Sequence, residues 1–169
     1  ANPGTDGLVR QSVRRAFGGA VAGQYFRVVH DALRAIDPAM LILGARFLSY
    51  STPPEVAAAA GPWVDVLSTN YYEFGPSWFT LAQSIGATAG YVPAARMFDD
   101  VDTFYALSGK PILISEYGYR SAESELPNSF PPFYPTPATQ AERADAFGRY
   151  LRHALQRPFV VGTHWFKHA

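Results

Sequence analysis

The stretch that decides the fold is Lys110-Pro111-Ile112-Leu113-Ile114-Ser115-Glu116-Tyr117-Gly118. Its consecutive aliphatic residues predict a strand that is apolar on both faces, which is the pattern of a parallel strand covered by helices. Pro111 fits only at the first position of such a strand, because proline cannot donate a hydrogen bond to the neighbouring strand. Glu116 comes next, so we expect a carboxylate where the strand opens into a loop.

Glu116 has two interpretations at this position. A carboxylate at the C-terminal tip of a parallel strand lies at the mouth of the sheet, where α/β barrels build their active sites. The alternative is a structural glutamate that caps the next helix or pairs with an arginine. The surrounding sequence favours the first interpretation.

Helices and strands alternate along the whole chain. Apolar residues at helical spacing predict helices at 25–36, 54–60, 98–107 and 139–155, and the capping box Thr139-x-x-Glu142 opens the last of these. Extended apolar runs predict strands at 40–47, 65–72, 111–116 and 159–166. This order favours a parallel sheet with right-handed helical crossovers.

The connections at the two edges of this predicted sheet differ in length. Those from helix to strand are minimal, whereas those from strand to helix after Tyr72 and Glu116 run to about twenty residues, against the usual two to six. We therefore expect the functional surface at the C-terminal edge of the sheet. The two long loops carry nine aromatic residues: Phe74, Trp78, Phe79, Tyr91, Tyr117, Tyr119, Phe130, Phe133 and Tyr134.

The composition argues against several kinds of partner. The 169 residues have a formal net charge of zero and a pI near 7.1, so we predict no nucleic-acid partner and no membrane partner. The chain has no cysteine, and His164, His168 and Glu116 lack the spacing of a zinc site. We therefore predict neither a metal nor a cofactor.

The strand before Glu116 contributes two polar side chains. The two-residue period of a strand places Asn70 and Tyr72 on one face, and both become neighbours of Glu116 if that face looks into a barrel. A tyrosine hydroxyl that donates to a carboxylate keeps it ionised and oriented, and an asparagine amide can hold a substrate hydroxyl. The alternative is that both side chains satisfy backbone groups at a strand end.

Three further polar or aromatic residues lie near strand ends. Glu73 follows on the face opposite Tyr72 and is expected to pair with a cation, Arg96 or Arg120. Trp165, at the end of the last strand, can form a floor for a sugar ring, and His164 can bond a hydroxyl. The alternatives are a core tryptophan and a histidine with an ordinary hydrogen-bond partner.

Together these motifs resemble the last half of a clan A glycoside hydrolase. The similarity is carried by the strand with Glu116, by Asn70-Tyr71-Tyr72 and by His164-Trp165-Phe166. It is closest to β-agarase and β-galactosidase-like members, in which a Tyr25-Phe26-Arg27-type helix and a Leu43-Gly44-Ala45-Arg46-Phe47-type strand occur in this order.

The resemblance implies an α/β fold, the C-terminal half (strands five to eight) of a (β/α)8 TIM barrel, over residues 1–169. It further implies a retaining glycoside hydrolase that cleaves a β-linked oligosaccharide or polysaccharide. Glu116 would be the nucleophile and Tyr72 would orient it. A secreted or periplasmic location is compatible with this family. The implied substrate-binding residues are Asn70, His164 and Trp165.

One feature of the family is missing from the sequence. The acid/base glutamate of the clan follows an asparagine, and no Asn-Glu dipeptide occurs here. We therefore expect the N-terminal half of the barrel, with the acid/base, to precede Ala1. Without it, the sheet edges and an inner apolar face including Leu43, Ile112 and Ile114 would be open to water. The alternative is a carbohydrate-binding or structural barrel segment without catalysis.

Overall fold

A computed structural model describes residues 3–48, 51–73, 97–124 and 135–166. The helices are α1 (Pro3–Ile36), α2 (Pro54–Ala60), α3 (Asp99–Ser108) and α4 (Gln140–Leu155), and a short 3-10 turn spans Gly61–Trp63. The strands are β1 (Phe47–Leu48), β2 (Leu67–Asn70), β3 (Ile112–Tyr117) and β4 (Val160–Trp165). Helices and strands alternate, as predicted.

The described strands form one parallel sheet in the order β1-β2-β3-β4. Strands that follow one another in the chain are also neighbours in the sheet, so each connection must return to the starting end of the sheet. All C-terminal strand ends therefore lie along one edge. The predicted α/β fold with a parallel sheet is confirmed.

The core lies between the sheet and the helices. Phe47 of β1 packs edge-to-face on Phe26 of α1 and Phe104 of α3. Ile112 and Ile114 are fully buried in the same apolar cluster, so the expectation that they would be open to water is wrong. Their side chains are covered within this chain. Leu43 does agree with that expectation, because 40% of its surface is exposed.

Helix α1 is much longer than the helix at 25–36 that the periodic apolar residues predicted. It begins at Pro3 rather than near Tyr25, and it includes Gly18 and Gly19. The apolar residues of its first half are exposed, so they form no stripe directed at the core. Gly19 and Gly23 instead face α2, where an added Cβ would lie 3.6 and 3.9 Å from the nearest side-chain carbons.

The predicted strand at 40–47 forms ladder pairs only from Phe47 onward. Gly44 has a positive φ of 68°, and a Cβ there would lie 2.8 Å from Val64, so the chain turns sharply before β1. Asp65 anchors the preceding segment by accepting the Ile42 amide at 2.8 Å, and both of its carboxylate oxygens accept hydrogen bonds from Arg34 Nη2. The Ile42 amide and then Arg34 lower the pKa of the Asp65 carboxyl, against the opposing effect of burial.

The helix ends follow the sequence closely. Thr139 and Glu142 form the predicted capping box at the start of α4. Gly109 ends α3 in the left-handed conformation with a φ of 65°. Phe98, just before α3, also has a positive φ of 73°, and this strained backbone is held in a buried aromatic cluster with Tyr71 and Tyr150.

Most of the two long loops lies outside the described residues. Segments 74–96 and 125–134 contain most of the aromatic residues expected at the functional edge, together with Arg96. His168 also lies outside. The residues on the two sides of segment 125–134 are hydrogen-bonded to each other, because the Ala122 amide donates to the Pro137 carbonyl at 2.8 Å.

Across 3–48, 51–73, 97–124 and 135–166, no helix combines the length and the apolar character needed to cross a bilayer.

Candidate active site

Glu116 lies on β3 near the C-terminal edge of the sheet, and its side chain is only 13% exposed. Its two carboxylate oxygens have different partners. The Tyr72 hydroxyl donates to Oε1, and Asn70 Nδ2 donates to Oε2 at 2.9 Å. The structure thus brings together the three polar residues that strand periodicity predicted to be neighbours.

A β-bulge at Ser115 produces this arrangement. Thr69 pairs with Ile114 whereas Asn70 pairs with Glu116, so Ser115 is an extra residue on β3. In a regular strand, Ser115 and Glu116 would point to opposite faces. Here both reach Asn70, because the Ser115 hydroxyl donates to Asn70 Oδ1 at 3.1 Å. Both polar groups of the Asn70 amide are therefore engaged, and its orientation is fixed.

Strand β3 does not end at Glu116, as the sequence had suggested, but continues through Tyr117. Tyr117 pairs with Trp165, and its carbonyl accepts the Phe166 amide at 2.7 Å. Gly118 allows this close approach, since a Cβ there would lie 2.1 Å from the Phe166 carbonyl oxygen. The backbone on both sides of Glu116 is thus held in the sheet.

Arg46 is a member of the site that sequence reasoning missed. It directly precedes β1, and its Nη1 lies 3.3 Å from Glu116 Oε2. Strand β2 lies between β1 and β3, so this side chain reaches past a neighbouring strand. The available sequence signal was the alternation with buried Phe47, which places Arg46 on the face opposite the helices.

Glu73 belongs to a second polar group beside the first. Its Oε2 accepts the Tyr119 hydroxyl at 2.6 Å and lies 3.7 Å from Arg149 Nη2 of α4. The cation is therefore Arg149 rather than the predicted Arg120, because α4 packs across this strand end. Burial and the neighbouring Glu73 carboxylate raise the pKa of Tyr119, so its hydroxyl remains a donor.

Helix α4 also supports the backbone of the site. The Tyr150 hydroxyl donates to the Tyr71 carbonyl at 2.6 Å, and the Tyr71 amide donates to the Glu116 carbonyl at 2.9 Å. The Tyr150 ring stacks on Tyr117 with centroids 4.2 Å apart. Burial raises the pKa of Tyr150 well above its usual value, which keeps this hydroxyl protonated.

Trp165 and His164 of β4 lie on opposite faces of the sheet. The Trp165 indole packs edge-on against Tyr117 and Phe147, with the Arg143 guanidinium 5.3 Å from its ring centroid. Because Phe147 and Arg143 belong to α4, this ring is on the helix side of β4. His164 is exposed and lies on the opposite side by alternation. Sugar contacts for these two residues stay predictions.

The Glu116 carboxylate is surrounded by groups that carry hydrogen-bond donors. Tyr72, Asn70 and Arg46 all present hydrogen-bond donors to its oxygens, which suits a carboxylate that only accepts. Within the described ranges, no cluster of three His, Asp or Glu side chains is placed to hold a metal ion.

No protein-family model matches the chain. Comparison with individual proteins shows that it is related to the glycoside hydrolases, the class that the sequence motifs indicated. It is 31% identical over 147 residues to beta-agarase A and 28% identical over 148 residues to beta-agarase B, both from Vibrio sp. (strain JT0107). The alignments cover 87% and 88% of this chain, but the chain spans only 13% of the length of each relative.

A solved structure agrees with this relationship. An agarase, AgWH50C, matches 89% of this chain with a TM-score of 0.65 and 29% sequence identity. The match covers 20% of that agarase. The parallel sheet with its helices is therefore a fold found within a glycoside hydrolase.

Proposed function

We propose that the chain is part of a retaining glycoside hydrolase that cleaves a β-linked oligosaccharide or polysaccharide, with agar-type galactans as the first substrates to test. The observation that carries this proposal is the Glu116 carboxylate at the C-terminal edge of a parallel sheet, with both oxygens engaged by Asn70 and Tyr72. The relationship to agarases supports the substrate class.

In this reaction a carboxylate attacks the anomeric carbon while a carboxylic acid protonates the departing oxygen. The resulting glycosyl-enzyme is then hydrolysed by a water that the second carboxyl group activates. Glu116 is the nucleophile in our proposal. The hydrogen bond from Tyr72 orients Oε1. Asn70, which Ser115 holds in place, orients Oε2 and can also form a hydrogen bond with a sugar hydroxyl.

We further propose that residues 1–169 supply strands five to eight of a (β/α)8 barrel. The four described strands lie in chain order in one parallel sheet, as successive strands of such a barrel do. The described partners of Glu116 are an amide, a phenol and a guanidinium, and none is a carboxylic acid. In this proposal the general acid belongs to another part of the protein.

A different function also has one observation in its favour. Because no carboxylic acid is among the described partners of Glu116, a carbohydrate-binding barrel segment without catalysis fits the same contacts. The two functions are separated by turnover, since both predict sugar binding but only the hydrolase forms a covalent intermediate.

The test is to identify the covalently labelled residue. A 2-fluoro-β-galactoside inactivator, added to the full-length protein, should label Glu116 in peptide mapping, because fluorine slows breakdown of the glycosyl-enzyme. Glu116→Gln should lower kcat by several orders of magnitude, as expected for loss of a nucleophile that works as part of a unit.

Glu55→Gln is the matched control. Glu55 lies in the first turn of α2, so the same loss of a carboxylate there should leave turnover unchanged. Label on another residue, or near-normal turnover by Glu116→Gln, would refute the assignment. Sugar binding without label or turnover would establish the non-catalytic alternative.

A further inference from the structure

We propose that Arg46 is a catalytic residue that favours hydrolysis of the glycosyl-enzyme, by stabilising the negative charge that returns to Glu116 in that step. This inference rests on the proposed function, in which Glu116 is the nucleophile. It adds a charged group directly before β1 to a site otherwise made by the ends of β2 and β3.

The fold holds Arg46 in place through its neighbour. Phe47 is buried between Phe26 of α1 and Phe104 of α3, which fixes the backbone at the start of β1. Alternation then directs Arg46 to the other face of the sheet. Two strand spacings, about 9 to 10 Å, separate β1 from β3, a distance that arginine and glutamate side chains bridge together.

Arg46 differs in kind from the other groups on Glu116. Asn70 and Tyr72 are neutral donors, whereas the Arg46 guanidinium carries a full positive charge 3.3 Å from Oε2. Its interaction therefore depends most strongly on whether the carboxylate bears a charge. Its side chain is 59% exposed, against 13% for Glu116, so solvent weakens the attraction.

The charge on Glu116 changes in opposite directions in the two steps. In the first, a carboxylate oxygen bonds to the anomeric carbon, and the bond to the leaving oxygen breaks as that oxygen takes a proton from a carboxylic acid. Glu116 loses its negative charge, which the nearby guanidinium opposes.

In the second step, water attacks the anomeric carbon and gives a proton to the carboxylate formed from that acid. The bond from the carbon to Glu116 breaks, and its electron pair returns to the Glu116 carboxylate. Negative charge thus develops beside Arg46, whose positive charge lowers the barrier. Arg46 is therefore expected to slow formation of the glycosyl-enzyme and to speed its breakdown.

The experiment compares the two steps in the full-length protein. The probe is 2,4-dinitrophenyl β-galactoside, whose good leaving group makes the first step fast, and stopped-flow absorbance resolves the first turnover from steady state. In Arg46→Ala we expect breakdown to slow about five- to tenfold while formation is unchanged or faster. Mass spectrometry of the reacting enzyme should show more glycosyl-enzyme than in the wild type.

Rescue distinguishes this role from a structural one. Because Arg46 is exposed, added methylguanidinium should restore breakdown in Arg46→Ala, and Arg46→Lys should retain most of the rate. Arg27→Ala removes a charge from an exposed arginine of α1 and should behave as wild type in both steps. If Arg46→Ala does not fold, Arg46→Lys and Arg46→Gln are compared instead. The ratio of the breakdown rate to the formation rate then shows whether Arg46 favours breakdown of the glycosyl-enzyme.

The outcomes separate this inference from the proposed function. Equal decreases in the rates of formation and breakdown in Arg46→Ala, or no change in either rate, would overturn the role of Arg46. A wild-type protein that neither turns over the probe nor carries label on Glu116 would refute the proposed hydrolase itself, and the role of Arg46 with it.

Discussion

At the scale of single residues, the site depends on side chains that their neighbours hold in position before any ligand binds. Asn70 shows this best, because Ser115 holds one end of its amide while the other end donates to Glu116. Trp165 shows the opposite case. Its ring was predicted to line a sugar subsite, yet its contacts are with Tyr117 and α4.

We expect Trp165→Ala to lower the free energy of unfolding by about 1 to 3 kcal/mol, because a half-buried aromatic contact and the Arg143 cation–π pair are lost. Chemical denaturation of the full-length protein measures this, and Trp63→Ala, on another half-buried tryptophan, is a control for loss of an indole elsewhere. A second role in sugar binding would add a loss of substrate affinity in the folded fraction. Unchanged stability would contradict the packing of Trp165 against Tyr117 and Phe147.

At the scale of secondary structure, the active edge is held by the close contact between β3 and β4 and by α4. Helix α4 contacts the segment that follows β2, through Tyr150 to Tyr71 and through Arg149 to Glu73. Gly118 allows the end of β4 to approach β3. The position of Glu116 therefore depends on elements that do not touch its side chain.

Gly118→Ala is expected to lower both stability and kcat. Its Cβ would lie 2.1 Å from the Phe166 carbonyl oxygen, so the strand ends must separate, at a cost of about 1 to 3 kcal/mol. Gly18→Ala in α1, where a Cβ meets nothing within 4 Å, should instead stabilise by about 0.5 to 1 kcal/mol. Thermal unfolding and turnover are measured for both variants. Unchanged stability and kcat in Gly118→Ala would show that the strand ends can separate at little cost.

At the scale of the whole molecule, much apolar surface remains uncovered by the described residues. Exposed apolar side chains lie on the first half of α1, and others lie near both edges of the sheet. Surfaces of this kind mark contacts with further protein. They agree with our proposal that the chain supplies half of a barrel. The most exposed of these side chains are Leu8, Val9, Val13, Phe17, Leu41 and Val161.

Residues 1–169 produced alone should therefore self-associate and should not hydrolyse aryl β-galactosides, although Glu116 is present. Light scattering after size exclusion measures the association, and the double variant Val13→Lys and Phe17→Lys should reduce it if α1 is the contact. Joining these residues to the rest of the full-length protein should restore both a monodisperse product and turnover. A monomeric, cooperatively folding and active 169-residue product would refute the half-barrel proposal.

The sequence alone determined the features that arise from local physics. Ile112 and Ile114 predicted a buried parallel strand because an apolar run has few other places to lie. The capping box at Thr139 satisfies amides within one turn, and the two-residue period made Asn70 and Tyr72 neighbours. Each of these inferences involves residues close together in the chain.

The tertiary structure decided what depends on contacts between distant segments. The bulge at Ser115 results from the pairing of β2 with β3, and it turns Glu116 toward Asn70. Arg46 reaches Glu116 only because β1 and β3 flank the same strand, and Glu73 meets Arg149 only because α4 crosses the strand ends. Helix packing placed Trp165 against Phe147, since the indole gains apolar contact there that no local pattern encodes.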